Sequence, residues 1–311
     1  MSSSGTLVYY LGSPYSQREL AWVDHDGRST QLAGRPQLGL DSPAISPDGR
    51  RVAVVAYEKE NADIWVHDLA RGTRSRLVAG PQDELLPMWS PSGDRIFCMR
   101  TGNNVSSKLM EIPADGTGAP RIRVEESSGD VFSLSPDGQA LIFSVEKAGL
   151  SSLWRLDLNG NATPVRLTPN TSVDESESAL SPDGRWLAYQ TDEAGPLQVF
   201  VRRFPDGGQK QQVSLNGGSF PFWAAKGTAI LYWEGDTLME VPVQSGAALT
   251  IDTARKMFSA GDVGMVASDA SAKPALDLAA DGRFLVVRRS SDDPRRGILV
   301  VENWMEEFRK R

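Results

Sequence analysis

A four-residue turn that returns at near-constant intervals constrains this chain more than any other feature. Ser46-Pro47-Asp48-Gly49 puts a turn-initiating Ser, a Pro of fixed φ, an Asp and a closing Gly between two runs of strand-forming residues. The same letters stand at 135–138 and 181–184. Near-copies stand at 90–93 (SPSG), 224–227 (AAKG) and 279–282 (AADG), and a degenerate copy, Ser2-Ser3-Ser4-Gly5, opens the chain. The interval is 43–46 residues except for the last, which is 55. A period of this length with strands flanking each turn marks a repeat architecture.

Each repeat carries up to four strand-like segments. In the second, these are Pro43–Ser46 before the turn, Arg51–Tyr57 after it, Asp63–Asp68 beyond a polar loop, and the shorter Ser75–Val78. Gly-containing turns such as Asp24-His25-Asp26-Gly27 and Pro205-Asp206-Gly207 separate the third segment from the fourth. Segments flanking the main turn are continuously apolar, as in strands covered on both faces, whereas Ile64-Trp65-Val66-His67 alternates. Four antiparallel strands per 44 or so residues make the blade of a β-propeller, an all-β fold whose radial sheets hide most edges.

The repeats (near 2–45, 46–89, 90–134, 135–180, 181–223, 224–278 and 279–311) run end to end, which predicts a single domain over 1–311. The post-turn strand and the third strand each recur seven times, so seven blades is the expected count, with six and an irregular closure as the alternative. The first repeat lacks its first strand and the last lacks its fourth. Either the two ends complement each other in one closing blade, or the natural chain starts earlier and supplies the missing strand. At the other end, Asn303 to Arg311 places Trp304, Met305 and Phe308 on one helical face, with acids early and bases late, which predicts a short C-terminal helix. It would pack on the last blade or dock a partner.

Charge and composition remove several function classes. A net charge of −7 with interspersed signs lacks the basic stripe of a nucleic-acid binder. No apolar run approaches the length of a membrane span, and no basic segment leads into an apolar block at the N-terminus. The one cysteine, Cys98, lies in an apolar strand and reads as an inert core thiol. His25 and His67 read as solvent-facing residues at the ends of third strands rather than as a metal pair. No GxSxG elbow is present; Gly149-Leu150-Ser151-Ser152-Leu153 lacks the second Gly. No catalytic residue, metal ligand or cofactor is assigned.

Carboxylates offer the candidate site. The loops that lead from one blade's fourth strand to the next blade's first open near the channel mouth. They hold Asp41, Asp83, Glu84, Glu125, Glu126, Asp130, Asp174, Glu175 and Glu177. An acidic ring there would favour cations or basic peptides; the alternative is ordinary solvated loop charge. Trp89, Phe222 and Trp223 are expected in interblade packing, or as binding anchors if exposed. Ser259 to Pro274 forms an extra loop rich in small residues.

Several stretches resemble a known family. The strand-SPDG-strand unit, followed by Ile64-Trp65-Val66-His67-Asp68 and Ser75-Arg76-Leu77, resembles the TolB-like, WD-type propeller repeat. More narrowly, Gly5 to Tyr10, Leu20 to Asp24, Asp63 to Gly72, Ser181 to Tyr189, Val199 to Pro205 and Asn303 to Phe308 are similar to the C-terminal propeller of bacterial serine/threonine protein kinases. That resemblance implies a sensor or interaction domain, extracytoplasmic if tethered behind a membrane span. The chain shows no Gly-rich nucleotide loop and no HRD or DFG segment. The expected function is therefore non-catalytic binding of a protein, a peptide or a small ligand at the axial channel, by a monomer that neither binds nucleic acid nor inserts in a membrane. The alternatives are a TolB-like envelope protein that docks partners and a metal-dependent, lactonase-like propeller hydrolase.

Overall fold

The computed structural model describes residues 7–9, 17–32, 37–58, 61–102, 105–125, 132–160, 163–168, 172–266, 274–290 and 299–301. Five blades follow the chain in order, each an antiparallel meander. Blade 2 consists of Asp41–Ile45, Arg51–Glu58, Asn61–Asp68 and Thr73–Arg76, and blade 3 of Asp83–Trp89, Arg95–Gly102, Val105–Pro113 and Arg121–Val124. Blade 4 comprises Phe132–Leu134, Ala140–Lys147, Leu150–Asp157 and Val165–Arg166, and blade 5 Glu175–Leu180, Trp186–Thr191, Gln198–Arg203 and Gln211–Gln212. Blade 6 comprises Ser219–Trp223, Ala229–Glu234, Thr237–Ser245 and Arg255–Ser259, with Leu249–Ile251 paired on the far end of its long third strand.

Blade 1 is composite. Leu276–Leu278 and Phe284–Arg289 from the end of the chain join Gln17–Val23 and Ser29–Gln31 from its start, in register Leu20↔Val287 and Trp22↔Leu285. The ring therefore has six blades with an irregular closure, the alternative to the favoured seven. Two strands inflated the sequence count. Leu7–Tyr9 and Leu299–Val301 pair with each other in a separate two-stranded sheet and belong to no blade. Joining an end that lacks its first strand to one that lacks its fourth gives the closing blade its full set of four strands, so neither end is left as an incomplete blade. The turn at 2–5 and the helix expected over 303–311 lie outside the described residues. Among the described residues there is no helix long and apolar enough to cross a membrane.

Burial follows the blade interfaces. One cluster joins Trp186, Val199 and Val201 of blade 5 to Trp223, Tyr232 and Val241 of blade 6; similar clusters fill the other junctions round the ring. The second strand of each blade is covered on both faces, as its unbroken apolar run requires: Val52, Ala53, Val54 and Val55 are fully buried. First strands of neighbouring blades pack on one another, Leu276–Leu278 on Asp41–Ile45 and Glu175–Leu180 on Ser219–Trp223 among them, and so surround the axis.

The repeated turn links blades as well as strands. Ser46 Oγ donates to Asp48 Oδ1 (2.6 Å) and accepts the Arg51 N–H (2.9 Å), and Ser181 repeats this with Asp183 and Trp186. The Pro of each intact turn then packs on the Gly of the next turn round the ring. Pro47 Cδ lies 3.6 Å from where a β-carbon on Gly93 would sit. Pro91 stands 3.4 Å from the same point on Gly138, Pro136 3.4 Å from that on Gly184, and Pro182 3.5 Å from that on Gly227. Trp89 and Trp223, buried one residue before their turns, donate their indole N–H to Ala44 O (2.9 Å) and Ala179 O (3.0 Å) of the preceding blade. They are interblade staples, as expected. Cys98 is fully buried, and burial, with Glu84 nearby, holds its thiol far above the ordinary range.

Candidate functional site

The first strands line the axis, and four of them carry a β-bulge at the same place. Ser42, Leu86, Glu177 and Phe220, each four residues before the first residue of its turn, adopt φ of 44°, 55°, 47° and 51°. The pairing register shifts at each of these points. Non-glycine residues occupy this region at a cost of roughly 1–2 kcal/mol each. Their chemical diversity is why no sequence signal announced the bulge.

Two of these bulge residues, Glu177 and Phe220, line a cavity of about 130 Å³ on the axis. Phe222, Leu276 and Trp233 supply apolar wall, while Ser178 and Asp277 add polar atoms. Asp277 also ties the closing blade to blade 2: its Oδ2 accepts the Ile45 N–H at 2.6 Å and its Oδ1 that of Leu278 at 2.8 Å. Phe222 is thus part of the cavity wall as well as packed against the cluster between blades 6 and 1.

Most of the acidic ring expected at the mouth is consumed by the structure. Asp41 is fully buried, 3.5 Å from the Arg18 guanidinium, and its Oδ1 accepts the Ser42 N–H at 2.6 Å. Asp83 accepts the Ala62 N–H (2.8 Å). Glu84 is fully buried against Arg100 Nε (2.9 Å), and burial outweighs that cation and holds its carboxyl above the usual range. Asp174 accepts from Ser176 Oγ (3.2 Å) and its N–H donates to Asp192 (2.8 Å), and Glu175 is buried. Glu125 faces Lys108 at 2.7 Å on the surface. Asp130 and Glu126 lie outside the described residues. Among the described members of the proposed ring, Glu177 lines the cavity and the others do not. Asp277 was missed. Its signal was positional: two residues before each turn stand Ala44, Met88, Ser133, Ala179 and Phe222, and only this copy carries a charge there.

The histidines also separate. His25 sits in a turn with its side chain 55% exposed, 3.9 Å from Glu240. His67 is not solvent-facing, contrary to expectation. Burial, and then the Arg74 charge, lower its pKa to about 4. Among the described residues no group of three or more His, Cys, Asp or Glu side chains is placed to hold a metal.

Comparison with known proteins gives a consistent pattern. The family model described as the TolB beta propeller domain matches residues 5–162 and 117–256. The Tol-Pal system protein TolB of Bordetella pertussis is 27% identical over 155 residues, which is 50% of this chain and 35% of that protein. The match thus spans about a third of the curated relative's length. Two solved structures share the fold. One assigned as TolB from Agrobacterium tumefaciens superposes with a TM-score of 0.70 at 17% identity, covering 90% of this chain and 99% of the other. TolB from Acinetobacter baumannii gives 0.56 at 20%, covering 90% and 65%.

Proposed function

The chain belongs to the TolB beta propeller domain family, and from that premise we propose that it is a non-catalytic platform seating a protein or peptide partner on its axis. The observation that carries this reading is the axial cavity. It combines aromatic and aliphatic wall from Phe220, Phe222 and Leu276 with carboxylates at Glu177 and Asp277. A concave apolar surface with a few convergent polar groups is the usual form of a binding site. At about 130 Å³ it takes one side chain of a partner, not a whole substrate.

The TolB-like docking reading is favoured within this class by the 155-residue match to the Tol-Pal system protein. The narrower reading, a sensor domain of a serine/threonine kinase, rests on the resembling stretches such as Asp63 to Gly72 and Ser181 to Tyr189. A kinase domain encoded in frame upstream would support it, and a separate TolB-type operon would count against it. A lactonase-like hydrolase finds no ligand set among the described residues.

The test places a photo-crosslinking amino acid at Phe222 in the cavity and, separately, at Val165, 64% exposed on an outer strand. In the organism that encodes the chain, a discrete protein adduct should form from position 222 and be absent from 165. Equal adducts from both positions, or none from 222, would overturn the axial platform.

A further inference from the structure

The ring of Pro–Gly contacts is broken at two places, and both flank the closing blade. Round the ring, Pro47, Pro91, Pro136 and Pro182 each reach the Gly of the following turn. The next turn, Ala224-Ala225-Lys226-Gly227, has Ala225 where Pro should stand, and among the described residues nothing approaches Gly282 within 4 Å of a β-carbon position. Ala280 follows in the same role, and Gly49 is likewise open. The backbone is unchanged, because Gly227 N–H donates to Ala224 O (2.7 Å) as Gly49 N–H does to Ser46 O (2.8 Å). Only the prolyl ring is missing.

At the first break lies a cleft of about 250 Å³ between blades 6 and 1. Its floor is apolar, with Leu231, Leu278 and Phe284, and its rim holds Lys226, His25 and Glu240. Glu240 is already neutralised by Arg255 at 2.6 Å, and Asp281 by Arg283 at 2.8 Å. Lys226 has no carboxylate partner in the structure as described. The rim therefore presents an uncompensated cation beside an unfilled prolyl position. Blades 4 and 5 form a larger cleft of about 600 Å³, but there Pro136 already covers Gly184 and Asp137, Asp157 and Asp183 dominate the walls.

We propose that the cleft between blades 6 and 1 is a second docking site, which accepts a partner segment carrying a proline next to an acidic residue. The prolyl ring lies on Gly282 as Pro182 lies on Gly227, and the acid meets Lys226. The chain's own Pro-Asp-Gly turns show what this surface is shaped to cover. The site is separate from the axial cavity: it lies at the turn end of the first strands and shares no residue with that cavity. Its failure would leave the axial platform untouched.

The test titrates ¹⁵N-labelled protein with the tetrapeptide Ac-Ser-Pro-Asp-Gly-NH₂, taken from this chain, and with its Ser-Ala-Asp-Gly analogue as control. Saturable shifts of the Ala225, Lys226 and Gly282 amides are expected for the proline peptide at low-millimolar concentration, of order 1 mM for so small a ligand. The analogue should bind at least about tenfold more weakly. Ala225→Pro fills the position from within and should abolish the shifts while leaving the fold intact. Lys226→Glu, on an exposed side chain, should weaken binding severalfold and remove its salt dependence. No saturable shift at these amides, equal binding of both peptides, or unchanged binding in both variants would overturn the proposal.

Discussion

Replacing His67 should remove most of the stability this protein loses between pH 7.5 and pH 5. His67 lies on Asn61–Asp68, opposite Val52 on one side and Arg74 on the other. Its Nε2 is buried without a hydrogen-bond partner, and burial together with the Arg74 charge lowers its pKa from 6.5 to about 4. The sign follows from proton counting. Between pH 6.5 and 4 the unfolded chain binds a proton at this residue that the folded chain refuses, so stability falls as the pH falls through that window. Each tenfold difference in proton affinity is worth about 1.4 kcal/mol, so the full shift corresponds to ~3 kcal/mol and the part expressed by pH 5 to about 2 kcal/mol.

Urea unfolding at pH 7.5 and 5.0 measures the effect. The wild type should lose about 2 kcal/mol and His67→Gln only a small fraction of that. The imidazole C2–H resonance of His67 should titrate in the folded protein with a midpoint near 4. A midpoint at or above 6, or an equal loss of stability in the variant, would refute the reasoning.

Trp89→Phe should cost about 2–3 kcal/mol in the same assay, because it strips the 2.9 Å hydrogen bond from Ala44 O and leaves space beside Arg51, whose guanidinium stacks 4.5 Å from the ring. Arg100→Met leaves Glu84 buried without its cation, and should cost about 3 kcal/mol at pH 7.5. That deficit should shrink at pH 5, where a carboxyl already held above its usual range takes up a proton; a deficit that grows on acidification would contradict the assignment. Burial opposes ionisation of Asp183, but hydrogen bonds from Ser181, the Arg185 N–H, Ser245 and the Arg185 side chain outweigh it and bring its pKa to about 2. It therefore stabilises the fold above pH 3.8 and ceases to as the pH falls through 2, so Asp183→Asn should flatten the acid limb of the thermal melting curve in that range.

How much of this was legible beforehand depends on whether a property is local. The turn Ser46-Pro47-Asp48-Gly49 carries its own conformation, because the Ser hydroxyl, the Pro ring and the Gly φ of 68° are all specified within four residues. Strand positions followed from the apolar runs, and the second strand of blade 2 falls at Arg51–Glu58 where Arg51–Tyr57 was expected. Trp89 and Trp223 were readable as interblade residues because they repeat in phase with the turn. Glu84 and Asp41 were not readable as buried: nothing in the loop sequence says that Arg100, 16 residues on, or Arg18, 23 residues back, will lie against them. Asp277 required the repeats to be aligned position by position before its charge stood out.

The sequence by itself determined the blade: four short strands per period, a turn that builds them, and the all-β class, since these rest on contacts within some 45 residues. Tertiary structure alone decided the number of blades, because ring closure joins Gln17–Val23 to Phe284–Arg289 across nearly the whole chain. It also decided which acids are buried, because Asp41 meets Arg18 only across a blade junction and Glu84 meets Arg100 only once the first two strands of blade 3 pair. It gave the turn copies that lost their proline their meaning as well. An Ala at 225 is a minor change within its own turn, and becomes a cleft only when the next blade's Gly282 is set opposite it.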